Sequence, residues 1–289
     1  MYALPFTPVC INLCIQFICS LTTVVFNPTT LYYQLRHKKS SHESHMSMLL
    51  AHLCIHFYFA LTNLIYTACL LIQAFSPNKN IDLIFWTGAF CLSSFATTGL
   101  SDLFLASDRL LAISYPVKYL KYSKTRIVTS SLLSCVVAST VFMGFFIVNR
   151  REGSPEVLLF AELVNPTVIT CLLLGNDSLA LFVMVITVIL LYKLTKYNRT
   201  VRSLIPAGVS ARQANSTVLS QMILAALFWI APHCTHLVLI HGFNVDLFAM
   251  FGQYTTTFLV IYITACSILY RSRLKVVKSE RRRSSSNKF

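Results

Sequence analysis

The chain has 289 residues, of which 55% are hydrophobic and only 12% are charged, and its mean hydropathy is +0.65. A soluble domain of this length carries about twice that share of charged residues, so the composition excludes an ordinary water-soluble protein. The formal net charge of +14 comes from Lys and Arg residues that lie mostly in short segments between long apolar runs. This distribution is typical of a membrane protein, and we expect no nucleic acid partner.

A transmembrane helix needs about 20 consecutive, mostly apolar residues. Seven segments of the sequence meet this requirement, and short polar segments separate them. Their approximate ranges are 8–35, 46–73, 84–106, 127–148, 167–192, 218–240 and 247–270. The sequence therefore predicts an all-α membrane protein built as a seven-transmembrane-helix bundle.

The charges around these segments predict the orientation of the bundle. The first segment has no basic residue before it, unlike a cleavable signal peptide, so we expect a signal anchor. Sorting the Lys and Arg residues by segment leaves only three on the outer side, Lys79, Arg150 and Arg151. The positive-inside rule then places the N-terminus outside and the C-terminus in the cytoplasm, which requires an odd number of spans.

The second segment carries His52 and His56 one helical turn apart, so both are expected on one face of a helix, turned toward the bundle. Two histidines at this spacing can bind a metal ion, but the sequence shows no obvious acidic or cysteine partner for them. We therefore interpret them as buried hydrogen-bonding residues and predict no metal site and no cofactor.

The third segment ends in the run Ser-Asp-Arg-Leu-Leu-Ala-Ile-Ser-Tyr-Pro-Val-Lys-Tyr, residues 107–119. Ionisable groups are costly where a helix leaves the membrane, so Asp108 and Arg109 are candidates for a function. Pro116 should end the helix, and a basic loop follows it. In the fifth segment Asp177 lies at the centre, where it either faces the bundle or is protonated, and a structural kink is as consistent with it as a ligand contact.

The Asp108 and Arg109 pair, followed by Ala112, Ile113, Pro116 and Tyr119 at this spacing, resembles the end of the third helix in rhodopsin-like G-protein-coupled receptors. The resemblance implies a receptor with Arg109 as the central coupling residue, restrained at rest by Asp108. It also implies a G-protein-coupling surface, an activation switch and a buried polar core. The coupling residues would be Asp108, Arg109, Pro116, Tyr119, Lys196, Arg199 and Arg212, the switch Trp229, Pro232 and Tyr270, and the core Asn27, His56, Asp102 and Asp177.

Other residues depart from the resembled pattern. The ten cysteines fall in apolar segments, so the usual disulfide to the second outer loop is not expected. Cys91 replaces the acid that binds amines, and His56 lies near the position of the usual sodium-binding aspartate. Arg212 stands where an acid often pairs with the coupling arginine, so we expect a weak, membrane-edge Asp108 and Arg109 pair and measurable basal activity. These loose motifs are most similar to nematode serpentine chemosensory receptors.

The ligand expected from this reading is small and neutral or lipophilic. Helical spacing groups apolar residues of the third helix with hydrogen-bonding residues of the sixth and seventh, and no acid or lysine joins them. These pocket residues are Cys91, Leu92, Phe95, His233, His236, Gln253, Thr256 and Thr257. A neuropeptide is the alternative ligand, because Glu152, Glu156 and Glu162 could attract a basic peptide.

The sequence thus predicts a receptor domain over residues 1–278, including a short membrane-surface helix, and a disordered, basic, Ser-rich tail over residues 279–289. It predicts no enzyme, since no nucleophile or third ligand completes a site around the histidines. A polytopic transporter or channel remains the alternative from another class. The resemblance implies a heterotrimeric G protein, a bilayer with an anionic inner leaflet, a receptor kinase and arrestin as partners, and location in the plasma membrane, including a sensory cilium.

Overall fold

In a computed structural model of the chain, the structure describes residues 6–36, 47–76, 78–115, 119, 124–152, 159–201, 217, 219–243 and 253–286. Seven long helices account for most of them, and no β-strand occurs among these residues. The helices are α1 (Phe6–Arg36), α2 (Ser47–Ala74), α3 (Ile81–Ser114), α4 (Lys124–Val148), α5 (Pro166–Val201), α6 (219–243) and α7 (Tyr254–Ser286). Each overlaps one predicted segment, so the all-α class and the number of helices are confirmed.

Five of the helices, α1 to α5, are long and apolar enough to cross a membrane. The other two are less regular, because a π-helical segment interrupts α6 and α7 has polar ends. A π-helical segment, Ala226–Ile230, divides α6 into residues 219–225 and the α-helical Ala231–Phe243. α7 begins with Tyr-Thr-Thr-Thr and ends in a basic, Ser-rich run. The sequence did not predict the π segment.

The third helix occupies the centre of the bundle. α3 packs against α2, α4 and α5, while α1 packs between α2 and α7. Hydroxyl side chains would be costly in such an interior, but those of α3 bond to their own helix. Ser93, Ser94, Thr97 and Thr98 each donate to the backbone carbonyl three residues earlier. The helix can therefore be buried while it carries polar residues.

A 3-10 turn, Phe160–Leu163, closes one end of the bundle. Phe160 is fully buried, and its ring lies 5.6 Å from that of Phe85 on α3. Its backbone N–H donates to the Tyr66 hydroxyl of α2 at 3.1 Å. Gly88 leaves room for the ring, because a Cβ added at this position would lie 2.5 Å from the Cβ of Phe160.

The same end of the bundle is held together without a disulfide, and all ten cysteines are free. Arg150, after α4, forms an ion pair with Asp82 in the first turn of α3. Its guanidinium also lies over the Phe85 ring, 4.4 Å from the centroid. An isolated β-bridge joins Arg150 to Val164. The chain between α4 and α5 is therefore attached to α3 by an ion pair, by backbone bonds and by Phe160.

The division of the chain at residue 278, with a membrane-surface helix before it and a separate tail after it, stays a prediction. α7 extends without a break to Ser286 and so includes residues 279–286. The reason is local, because residues 254–286 contain neither Gly nor Pro, the two residues that most often end a helix.

Candidate functional site

A cluster of polar side chains lies in the middle of the bundle, where α2, α3, α6 and α7 meet. We call it the polar cluster, and all its members are buried. It consists of His52, His56, Ser101, Asp102, Gln221, Tyr262 and Tyr270. Asp102 and His56 were predicted as buried polar core. Asn27 and Asp177 are also buried, but they lie on α1 and α5, outside the four helices that form the cluster.

Gln221 of α6 connects the members of the polar cluster through the hydrogen bonds of its side-chain amide. Its amide nitrogen donates to Asp102 Oδ1 at 2.9 Å and to His52 Nε2 at 3.0 Å. Its amide oxygen accepts from the Tyr270 hydroxyl of α7. The Tyr262 hydroxyl, also from α7, donates to Asp102 Oδ1 at 2.8 Å. One amide therefore links α6 to the three other helices, and the sequence did not identify it.

The π segment holds the predicted switch residue Trp229 directly beside this cluster. Trp229 is buried, and its ring stacks on that of Tyr262 at 6.4 Å with an interplanar angle of 19°. On its other side it fills the space left by Gly99 of α3, since a Cβ there would lie 3.1 Å from the indole ring. Pro232 follows the π segment and lacks the N–H of a regular helical residue. The indole, the phenol and Asp102 thus form one continuous contact from α6 to α3.

The predicted coupling pair lies at the other end of α3, away from Asp82. Arg109 Nη2 lies 3.2 Å from Asp108 Oδ2, and the Tyr119 hydroxyl donates to Asp108 Oδ1 at 2.9 Å. Burial and the neighbouring Asp108 carboxylate raise the pKa of the Tyr119 hydroxyl, so it remains protonated and able to donate.

The expected membrane-edge pair is in fact buried, since Asp108 is 3% exposed and Arg109 4%. Arg109 lies on the face of α3 that packs on its neighbours, and Tyr119 covers Asp108. Lys196 is exposed on α5, and Arg199 lies in the same helix. Pro116 and Arg212 lie outside the described residues.

The predicted pocket residues face more than one part of the bundle. Cys91 Sγ donates to Asn63 Oδ1 of α2 at 3.4 Å, and the Phe95 ring packs on Phe59 of α2 at 6.2 Å. Leu92 and Thr256 are also buried. The third helix therefore directs its predicted wall toward α2.

The predicted pocket residues of α6 and α7 also face different neighbouring helices. Thr257 accepts from Gln16 Nε2 of α1 at 2.9 Å, and Gln253 Nε2 donates to the Tyr66 hydroxyl of α2 at 3.4 Å. The His236 ring lies 5.9 Å from that of Tyr254. His233 belongs to α6, and its side chain lies outside the described part of the structure. Gln253 and Thr257 are thus turned toward α1 and α2, and His236 toward α7.

The residues that sequence reasoning missed carry a periodic signal. Gln221 lies eight residues before Trp229, and Tyr262 lies eight residues before Tyr270, in each case about two helical turns. Members of such a pair share a helix face. A polar residue two turns before a switch residue is therefore expected to face the interior of the bundle, as the switch residue does.

Comparison with known proteins identifies the family. The family model for the serpentine type 7TM GPCR chemoreceptor Srx matches residues 17–271, which include all of the polar cluster and the Asp108, Arg109 and Tyr119 contacts. No curated protein matches the chain. The matched region covers most of the chain and all seven helices in part. The chain therefore belongs to the serpentine type 7TM GPCR chemoreceptor family Srx, a nematode chemoreceptor family.

Proposed function

We propose that this receptor binds a small neutral or lipophilic molecule in the outer half of the bundle and activates a heterotrimeric G protein at the Arg109 end. The observation that supports this most directly is Gln221, the side chain through which α6 enters the polar cluster. It shares a helix with Trp229, which occupies the π segment beside the cluster. A ligand that moves Trp229 therefore acts on the helix that carries Gln221, whose hydrogen bonds hold the polar cluster together.

The mechanism requires two packings of α6. A ligand shifts a receptor between states only through its different affinity for them. In the described state Trp229 stacks on Tyr262 and fills the space at Gly99. A ligand that favours another position of the indole would draw α6 away, and Gln221 would lose its bonds to His52, Asp102 and Tyr270. Movement of α6 at the Arg109 end would then open a surface for the G protein.

In this mechanism the receptor lies in the plasma membrane of a sensory cilium, with its Arg109 end toward an anionic inner leaflet. A receptor kinase and arrestin would act at the Ser-rich end of α7. Pi-helical segments occur frequently at functional sites, and this one lies on the helix that has to move.

Replacing Arg109 with Ala tests the coupling step. We expect loss of ligand-stimulated nucleotide exchange by a reconstituted G protein, with surface expression retained, because Arg109 would contact the G protein directly. Arg151→Ala is the matched control, since Arg151 follows α4 and is exposed at the end of the bundle opposite Arg109. Normal exchange by Arg109→Ala would reject the coupling mechanism and leave the fold unaffected.

A neuropeptide is the second candidate ligand, because Glu152 is exposed and Glu162 lies in the 3-10 turn at the same end of the bundle. Glu156, the third of these acids, lies outside the described residues. Neutralising all three with Gln should leave a small-molecule response intact. Phe95→Leu, which replaces the ring that packs on Phe59 with a smaller apolar side chain, should weaken that response. The opposite pair of results would favour a basic peptide ligand.

A further inference from the structure

The polar cluster contains three potential metal ligands that sequence spacing alone did not bring together. His52, His56 and Asp102 are each fully buried, and one ligand atom of each lies within 4.8 Å of the others. The two imidazole rings come from successive turns of α2 and lie 3.9 Å apart. From the sequence we predicted no metal site at the two histidines, because no acidic partner for them was evident. In the structure, Asp102 of α3 is that partner.

Several polar atoms in this group have no hydrogen-bond partner among the described residues. Neither ring nitrogen of His56 has a hydrogen-bond partner among the described residues, and neither does Asp102 Oδ2. The other oxygen of Asp102 accepts from Gln221 and Tyr262, so the carboxylate is held in place with one oxygen remaining. Buried polar atoms without partners are uncommon in native structures and require an explanation.

His52 is oriented as a metal ligand would be. Its Nδ1 lies 2.6 Å from Ser101 Oγ, while its Nε2 accepts from the Gln221 amide and lies 3.5 Å from Asp102 Oδ1. An amide N–H can only donate, so Nε2 must present its lone pair and Nδ1 must carry the proton. A metal-binding histidine has this arrangement, with the second ring nitrogen donating to a neighbouring group.

We propose that His52 Nε2, His56 and Asp102 Oδ2 bind one divalent transition-metal ion, with Zn²⁺ as the best match. Two imidazoles and one carboxylate are typical zinc ligands, whereas Ca²⁺ and Mg²⁺ prefer sites made of oxygen atoms. The ion would neutralise the buried carboxylate and use the unpartnered atoms of His56 and Asp102. Bonds of about 2.0–2.2 Å require the three ligand atoms, which lie within 4.8 Å of one another, to move closer together when the ion binds.

Binding at this site would also act on α6. The lone pair of His52 Nε2 that binds the ion is the one that accepts from Gln221, so the two bonds exclude each other. The ion would therefore release α6 from α2. This consequence does not depend on the identity of the chemosensory ligand, and the metal site itself is independent of the proposed coupling to a G protein.

The direct test is Co²⁺ titration of the purified full-length receptor in lipid nanodiscs, after chelator treatment and with an affinity tag that contains no histidine. We expect one Co²⁺ per receptor, visible absorption bands of a tetrahedral ion, and displacement by Zn²⁺. Absence of these bands in the unmodified receptor, or binding that does not saturate, would overturn the proposal.

Three substitutions locate the ion. His56→Leu and Asp102→Asn should each abolish the bands, and Ser101→Ala, which removes the group bonded to His52 Nδ1, should weaken binding about 10–100-fold. His236→Leu is the control, because His236 packs on Tyr254 away from the cluster. Unchanged binding by His56→Leu, or equal loss in the control, would overturn the assignment. If either ligand variant fails to fold, the Ser101 variant and the spectrum of the unmodified receptor decide.

Discussion

At the scale of single residues, the structure shows a restraint on the coupling pair that the sequence did not predict. It comes from Tyr119. Its hydroxyl donates to Asp108, the residue that also pairs with Arg109. A hydrogen bond to a charged group contributes about 1.5–3 kcal/mol, so Tyr119→Phe should favour the active state and raise basal nucleotide exchange roughly tenfold. Tyr115→Phe, at an exposed tyrosine of the same segment, is the control. Equal basal exchange in both variants would show that Tyr119 does not restrain the pair.

The same scale shows what the sequence could and could not predict. Asp102 and His56 were recognised as core residues because an ionisable group inside an apolar segment is costly and therefore conspicuous. Gln221 is uncharged and stands 119 positions from the carboxylate it binds, so nothing local in the sequence relates the two. The pairing of Tyr119 with Asp108 was not predicted either, because α3 ends at Ser114 between the two residues and helical spacing does not extend past that end.

The pocket residues show a second limit. Helical spacing placed Cys91 and Phe95 on one face correctly, but a face can turn to either neighbouring helix. In the structure both contact α2. Only the packing of α3 between α2, α4 and α5 decides that direction, and it depends on all the helices at once.

At the scale of elements, the fit of the π segment against α3 should control the resting state. Gly99→Ala places a Cβ about 3.1 Å from the Trp229 ring, so the indole has to shift outward. Mild overpacking costs about 1 kcal/mol, which corresponds to roughly a fivefold rise in basal nucleotide exchange. Gly175→Ala on α5 is the matched control, since a Cβ there meets nothing within 4 Å. A basal rate unchanged by Gly99→Ala would mean that Trp229 can move without affecting α6.

The 3-10 turn should contribute to stability in place of the missing disulfide. In Gly88→Ala the new Cβ would overlap the Phe160 side chain, so the turn must leave its buried position. We expect a loss of about 1–3 kcal/mol in the free energy of unfolding, measured as a lower melting temperature in detergent. Gly144→Ala, where a Cβ meets no atom within 4 Å, should change stability little or raise it by about 0.5–1 kcal/mol. Equal melting temperatures for the two variants would contradict this role for Phe160.

Helix positions were predicted well and helix details poorly. Apolar length predicted the places of all seven helices, because the length of a membrane-spanning helix follows from bilayer thickness. Pro232 correctly indicated an irregular helix, but a missing N–H does not reveal that the extra residue is accommodated as a π turn at Ala226–Ile230. Polarity suggested a tail after residue 278, whereas α7 continues to Ser286 and contains no Gly or Pro that would end it.

At the scale of the whole molecule, the charges of the two ends of the bundle differ in a way that local contacts do not require. Arg150 is paired with Asp82 at one end, while Lys193 donates to Ser114 and Lys196 is exposed at the other. The basic groups that the described helices carry at the Arg109 end therefore support the orientation that the distribution of Lys and Arg along the sequence predicts. Because positively charged loops remain on the cytoplasmic side during insertion, we expect the Arg109 end to be cytoplasmic.

This orientation can be tested on intact cells that express the receptor with one epitope before residue 1 and another after residue 289. Antibody should label the N-terminal epitope without permeabilisation and the C-terminal epitope only after it. A variant with four lysines inserted before the first helix serves as the positive control, because added charge at that end should oppose export of the N-terminus and reduce its labelling. Labelling of the C-terminal epitope on intact cells would place Arg109 outside. The G protein could then not reach it, and the proposed coupling would fail while the helical fold and the polar cluster remained as described.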